Sequence, residues 1–448
     1  MGHRPARRWR IEGDRAYRRQ ILRPRTLQRS FGDVRCLPSG ARDNPGQEGG
    51  RRMTLATLVY LLVVLAPVSL LVTLLAHAAV FIVLSPRRTA DAPALPITVL
   101  KPVKGAEPGL YENLASLARQ DHPAYEILVA AENARDPALE VASHVQDDFP
   151  HVPIRIHPGA RPLGLNPKVN LLAALFDRAR YDAVLISDSN VRVGPAYLRE
   201  MAAEMADPAV GLVTNIVVGE GAGLGALLER LHLNSFVVAA TSLARVAAGR
   251  ACVIGKSMLL RRSDLERLGG LYEVRNLLAE DFAIGRMYEV AGFRVALSPY
   301  LVRCVNDGWT VERFLNRHLR WAQMRRRIAP GAYLGELLLN PVLWITLATA
   351  ALWSTRPGRD LRLAAVAAAG VAVKVASDAL VSRRLRGSLP RLFEVLLMPL
   401  KDLAMAGVWL VACFRKRVSW RGNELRIEEG GKLAPAEARP VEIAQEAI

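Results

Sequence analysis

The first strongly patterned stretch of the chain is residues 54–85, an apolar run with no residue charged at neutral pH. It exceeds the roughly 20 residues that cross a bilayer's hydrocarbon core, and a membrane helix tolerates Pro67 with a kink. A cleaved signal peptide is the rival reading, but the apolar region is too long and Arg87 and Arg88 follow it. The pattern predicts a transmembrane helix over 54–85.

From 96 to 330, short β-branched apolar runs alternate with helical stretches. The predicted strands are Ile97–Leu100, Glu126–Ala130, Pro153–Ile156, Ala183–Ser187 and Gly211–Thr214. The predicted helices are Gly109–Arg119, Pro137–Phe149, Pro167–Arg178, Pro195–Met205 and Ser263–Leu268. Several open with Pro in or near the first turn, where its missing N–H costs nothing. This order suits βαβ units, an α/β domain with a mostly parallel sheet. Ligands of such sheets bind beyond the carboxyl ends of the strands, so charged residues just after strands matter most.

Three more apolar stretches follow, Leu337–Trp353, Leu361–Val381 and Leu392–Phe414. The first is short for a span. The second holds Lys374 and Asp378, an i,i+4 pair able to neutralise itself on one helix face. The third carries Pro399, Lys401 and Asp402 near its centre, which favours an interfacial or re-entrant segment over a crossing. Region 337–414 is thus expected to hold spanning and interfacial helices, followed by a cytoplasmic tail at 415–448. With domain 96–330 in the cytoplasm beside Arg87 and Arg88, two spans return Arg383, Arg384 and Arg386 to that side. A third crossing would export Arg415, Lys416 and Arg417. Trp344, Trp353, Trp409 and Trp420 lie near segment ends, as interfacial anchors do.

Composition changes this picture little. Apolar residues make up 51% of the 448, too many for a disordered chain. The net charge of +18 points to a polyanionic partner such as a nucleotide, an anionic membrane or nucleic acid. About half of it, however, sits in residues 1–52, an Arg-rich and Lys-free stretch predicted to be a disordered extension. Met53, directly before the first apolar run, is an alternative start. Cys36, Cys252, Cys304 and Cys413 lie far apart with no metal-ligand spacing, which argues against a zinc site or a disulfide scaffold. The Arg- and Ala-rich usage suits a bacterial source.

Three positions carry candidate chemistry. Asp188 ends V-L-I-S-D-S-N-V-R-V, where an apolar strand delivers a carboxylate to the sheet's ligand-binding edge. There it can bind Mg²⁺ or Mn²⁺ bridging a nucleotide diphosphate, or simply cap a turn. L-A-E-D-F-A-I-G places Glu280 and Asp281 side by side, one able to cap a helix while the other serves as a general base. R-H-L-R-W, Arg317 to Trp321, puts two arginines on one helix face to hold diphosphate oxygens, with an indole to stack on a sugar or base. A juxtamembrane basic helix binding anionic lipid is the plainer reading of the same segment.

Taken together, in this order and after one N-terminal anchor, these motifs resemble ceramide glucosyltransferases and their bacterial relatives. These are membrane-bound, inverting family-2-like glycosyltransferases of GT-A fold, with the pattern D, D, D, then Q/R-x-x-R-W. The resemblance runs from about Pro96 to Ile427. It includes V-L-K-P-V-K-G (Val99–Gly105), Y-E-I-L-V (Tyr125–Val129), G-L-N-P-K-V-N (Gly164–Asn170), G-L-V-T and V-S-W-R (Val418–Arg421). It implies a Rossmann-like GT-A domain, a UDP-sugar donor (UDP-glucose above all), a ceramide-like membrane lipid as acceptor, a bilayer partner, a divalent cation (Mg or Mn) and no nucleic acid.

By motif position, the resemblance makes Asp281 the base. It gives Asp188 the metal and diphosphate, and Arg317, Arg320 and Trp321 the leaving diphosphate. Lys101 and Pro102 would line the nucleotide pocket. The family's first Asp is Asn133 here, flanked by Glu132 and Asp136; the amide still hydrogen-bonds a uracil or ribose but lacks the charge. Asp136, before Pro137, reads equally as a helix cap. Phe236 stands where some ceramide-using members carry a His, which leaves a hopanoid or glycerolipid open as acceptor, with the difference around Leu233–Thr241. Cys252 reads as a buried structural thiol and His318 as structural or solvent-facing. A basic tether for membranes or nucleic acid is the non-enzymatic alternative. It predicts that loss of Asp188 or Asp281 is harmless and loss of 1–52 is not.

Overall fold

The computed structural model describes residues 55–85, 95–355, 360–415, 417–420 and 423–435. The basic extension at 1–52, Arg87, Arg88, Lys416, Arg421 and residues 436–448 lie outside the described residues. The chain begins with α1 (Leu55–Val83), one helix that runs through Pro67. Its large apolar side chains Leu58, Leu71 and Leu75 point outward, whereas Ser69, Thr73 and His77 are buried. A helix with lipid outside and protein inside partitions its residues this way.

The α/β domain follows. In chain order it has β1 (Ile97–Pro102), α2 (Leu110–Ala118), β2 (Tyr125–Ala131), α3 (Pro137–Asp148), β3 (Ile154–Pro158), α4 (Pro167–Phe176), β4 (Ala183–Ser187), β5 (Val191–Arg192), α5 (Tyr197–Met205) and β6 (Val210–Glu220). Helix α6 (Leu224–His232) then passes through a π-turn at Leu233–Val237 into α7 (Val238–Ala248). Next come β7 (Ser257–Arg261), α8 (Arg262–Arg267), α9 (Glu280–Val290), β8 (Arg294–Val305) and α10 (Val311–Ile328).

The strands make one eight-stranded sheet in the order β3-β2-β1-β4-β7-β6-β8-β5. The first four are mutually parallel, β7 is antiparallel to both neighbours, β8 is parallel to β6, and β5 closes the edge antiparallel. The sheet is therefore more mixed than the βαβ reading suggested. Both faces are covered. Leu100, Leu128 and Ile186 enter the core on one face, and Val99, Ile127 and Leu185 the core on the other, the period-2 alternation of a strand buried on both sides.

The C-terminal region has α11 (Pro330–Gly335), α12 (Pro341–Thr355), α13 (Leu361–Arg386) and α14 (Leu392–Phe414), then a small antiparallel sheet of β9 (Arg417–Trp420), β10 (Asn423–Ile427) and β11 (Leu433–Pro435). Helices α1, α13, α14 and the joined α6–α7 are each long and apolar enough to cross a membrane. The segment Pro330–Leu339 meets α12 at a bend of 69°, the form of a broken span or re-entrant loop.

So the bend lies in the first C-terminal stretch, whereas the third, expected to be interfacial or re-entrant, is one continuous helix of a length that can cross a membrane. Its charges do not oppose this, because Lys401 and Asp402 are buried against protein. Lys374 of α13 bridges Asp378 and Asp402, and the Lys401 ammonium donates to Ser235 Oγ at 3.1 Å. The four charges compensate one another between helices, the arrangement that makes intramembrane ionisable groups tolerable.

Candidate active site

The carboxyl ends of β1, β2 and β4 lie side by side at one edge of the sheet. Asp188 follows β4 there. Because β7 is antiparallel to β4 with Ser187 opposite Ser257, the residue before β7, Lys256, faces Asp188 across the edge. Its ammonium donates to Asp188 Oδ2 and to Asn190 Oδ1, at 2.8 and 2.7 Å. The other carboxylate oxygen, Oδ1, takes Lys168 Nζ at 2.8 Å.

Lys168 is placed by the start of α4. Asn166 caps the helix by accepting the Lys168 and Val169 N–H groups, and Pro167 fills the first turn. Lys168 Nζ also bonds Glu280 Oε1 at 2.8 Å and the Gly255 carbonyl at 3.3 Å. Burial would raise the Asp188 carboxyl, but Lys168 and Lys256 more than offset it and hold the group far below the usual carboxylate range.

Asp281 lies in the first turn of α9, half-buried beside Glu280. Its Oδ1 accepts the Phe282 N–H at 2.8 Å and its Oδ2 the Gly255 N–H at 2.6 Å. Burial, and then the Glu280 charge, push its carboxyl up to about 6 against the opposing pull of Lys168. The loop before α9 is clamped by the small C-terminal sheet. The Leu278 N–H donates to Gly431 O, the Leu433 N–H to Asn276 O, and Leu278 packs among Val418, Leu425 and Ile427.

Gly255 links the two acids, its N–H bonding Asp281 and its carbonyl accepting from Lys168, which also binds Asp188. A Cβ there would sit 2.8 Å from Lys168 Nζ and 2.9 Å from Asp281 Oδ2. Both are ends of side chains that can yield, so Gly255→Ala is expected to fold but to displace both groups. Its kcat should fall by between about tenfold and 10²-fold, the scale of an ångström-level misplacement. Steady-state kinetics alongside a thermal melt check this, and an unchanged kcat would mean that Asp281 is not held by this contact.

Arg317, on α10, is buried. Its guanidinium lies 4.4 Å from the Trp321 ring centroid and 5.1 Å from that of Trp309, and 3.1 Å from Glu229 Oε1. Glu229, on α6, is fully buried and gives its other oxygen to His318 Nε2 at 2.6 Å. His318 is therefore a buried structural residue and does not face solvent. Arg320 is half-buried one turn further along α10, and Trp321 packs against Val217, Leu233 and Cys304.

Two sequence expectations change. Lys101 does not line a pocket. It is fully buried, with its ammonium against Ser187 Oγ (3.2 Å) and Val191 O (3.4 Å), beneath the Asp188 turn. Burial brings it down to about 7, against the attraction of Asp188. Pro102, next on β1, is buried as well.

Asn133 is exposed in the loop after β2, its Oδ1 accepting the Arg135 N–H at 2.9 Å. Asp136 is the cap of α3 and also takes the Gly105 N–H at 2.8 Å. Cys252 is half-buried rather than fully buried, and burial pushes its thiol up to about 11, so it stays neutral near pH 7. Lys168, Lys256, Asn190, Glu229 and Gly255 had no assigned role in the sequence. The signal for Lys168 and Asn190 was that they sit in the motif segments G-L-N-P-K-V-N and V-L-I-S-D-S-N-V-R-V.

The family model described as glycosyl transferase family 21 matches residues 59–433. The chain belongs to this family. It is a glycosyltransferase. Ceramide glucosyltransferase 3 of Caenorhabditis elegans is 24% identical over 373 residues, which cover 76% of this chain and 74% of that protein. Ceramide glucosyltransferase 1 of the same organism is 30% identical over 258 residues, 56% of this chain and 54% of that one. Among solved structures, the chain is similar to a mannosyltransferase of Pyrobaculum calidifontis in complex with GDP-Man and Mn²⁺. That match has 19% identity and a TM-score of 0.47, over 77% of this chain and 99% of that chain.

Proposed function

We propose that this glycosyltransferase moves a glucosyl residue from UDP-glucose to a hydroxyl of ceramide, with inversion, at the cytoplasmic face of a bacterial inner membrane. The observation that carries the reading is the contrast between two carboxylates at one edge. Asp188 is held ionised between two ammonium groups, whereas Asp281 is pushed up to about 6. Opposed environments of this kind divide roles: one acid manages fixed positive charge, the other exchanges a proton near neutral pH.

The step is a single displacement. The acceptor oxygen attacks the anomeric carbon, the bond from that carbon to the diphosphate oxygen breaks, and Asp281 takes the hydroxyl proton. Negative charge gathers on the leaving diphosphate, where Lys168, Lys256, Arg317 and Arg320 balance it and Trp321 closes over the sugar. Asn133, exposed after the neighbouring strand, belongs to the nucleoside side. Lys101 acts indirectly, by bracing the Asp188 turn. The lipid acceptor would approach along Leu233–Thr241, the segment that holds Phe236.

A divalent cation, Mg²⁺ or Mn²⁺, fits the residues at Asp188. The Asp188 carboxylate and the Asn190 amide oxygen converge on one point that already holds a positive group, the Lys256 ammonium. Oxygen donors suit hard cations. The described residues contain no group of three or more His, Cys, Asp or Glu that could hold a metal, so the remaining ligands would be substrate phosphates and water, as is usual for Mg²⁺. When bound, the ion would neutralise the diphosphate.

The test is mass spectrometry of lipids from cells expressing the full chain, with and without Asp281→Ala. A new hexosylceramide that vanishes in the variant is expected. A hexosylated hopanoid or glycerolipid would replace the acceptor, and no new glycolipid from folded protein would overturn the reading.

A further inference from the structure

Lys256 occupies the point just assigned to the cation, and its surroundings fix that point without it. The Asn190 NH₂ donates to Asn306 Oδ1 at 2.7 Å and to Cys304 Sγ at 3.3 Å. The amide oxygen is thereby aimed at the same place as Asp188 Oδ2. Lys168 satisfies the other Asp188 oxygen and stays tied to Glu280. So the edge offers two oxygens to one positive charge, and Lys256 supplies it from within the chain.

Resting on the nucleotide-side assignment of Asp188, we propose that Lys256 is a built-in counter-ion that competes with the divalent cation for Asp188 and Asn190. When a cation takes the two oxygens, the Lys256 ammonium must leave them. Having lost its only two described acceptors, it turns to the other nearby anion, the diphosphate of the donor. When no metal is present, the ammonium remains and keeps the site able to take a nucleoside diphosphate. The lysine thus lowers the affinity for free metal while making nucleotide binding partly independent of it.

The experiment uses full-length enzyme in nanodiscs, with Mn²⁺ binding followed by loss of the free-ion electron paramagnetic resonance signal and UDP binding followed by calorimetry. Lys256→Met is expected to bind Mn²⁺ without nucleotide at least about tenfold more tightly, the low end of what one unit charge does at hydrogen-bond range. In EDTA the same variant should bind UDP about tenfold more weakly than wild type, which retains binding. Asn190→Ala, which leaves the Lys256–Asp188 pair in place, should weaken Mn²⁺ binding and so keeps the test open if Lys256→Met does not fold. Unchanged Mn²⁺ affinity in Lys256→Met, or in Asn190→Ala, overturns the competition while leaving the transferase reading intact. Wild type that binds UDP neither with nor without Mn²⁺ overturns both.

Discussion

Asp281→Asn is expected to lower kcat by about 10³-fold, within the range that a positioned general base contributes, with little change in the affinity for UDP. The substitution keeps size and shape. An amide oxygen can still accept the Phe282 or Gly255 N–H, so the start of α9 stays in place, but the group can no longer take a proton. The pH profile gives a second reading. The base works only when ionised, and its carboxyl is pushed up to about 6. The wild-type rate should therefore fall about tenfold per pH unit below that point and be flat just above it. In Asp281→Asn this acid limb should vanish.

Glu280→Gln removes the like charge that raises Asp281 and leaves Lys168 to pull the carboxyl down. The acid limb should then move to lower pH. Single-turnover assays from pH 5 to 8 measure all three. An Asp281→Asn enzyme within tenfold of wild type would mean that another group takes the proton.

What could be read from the sequence was what local pattern decides. β1, β2 and β4 are short, mostly apolar runs, and α3 and α4 carry a cap and a proline at their starts, so they lie within a residue or two of expectation. β8 was missed because Pro299 interrupts it, its pairing with β6 slips near Asn215, and three successive residues in its middle are only half-buried. Asp188 and Asp281 announced themselves by ending a strand and opening a helix.

Their partners did not. Lys256 meets Asp188 only because β7 runs antiparallel to β4 in a particular register, and Glu229 meets Arg317 only because α6 packs on α10. Lys101 shows the converse. A lysine on a strand buried along its whole length must find internal acceptors, so the same motif position that suggested a pocket lining places it underneath. Likewise, the charge count in the third C-terminal stretch was right but its direction was hidden. Lys401 and Asp402 face Ser235 and Lys374 rather than lipid.

Arg317→Lys is expected to cost between about 10² and 10³ in kcat/KM, the scale set by removing one preorganised donor from a developing anion. Charge is retained, so the loss measures geometry. The guanidinium lies over two indole rings, Trp309 and Trp321, with its Nη1 against a fully buried carboxylate. That planar, stacked fork can aim its remaining N–H groups at a diphosphate, whereas a lysine presents a single point charge on a flexible stem. If Glu229 serves only to orient Arg317, Glu229→Gln should lower kcat/KM in the same direction, and the double variant should be little worse than Arg317→Lys alone. Residues acting as one unit are not additive. Fully additive losses in folded variants would separate the two residues. An Arg317→Lys enzyme with unchanged kcat/KM would remove Arg317 from the leaving-group site and leave that task to Arg320 and the two lysines.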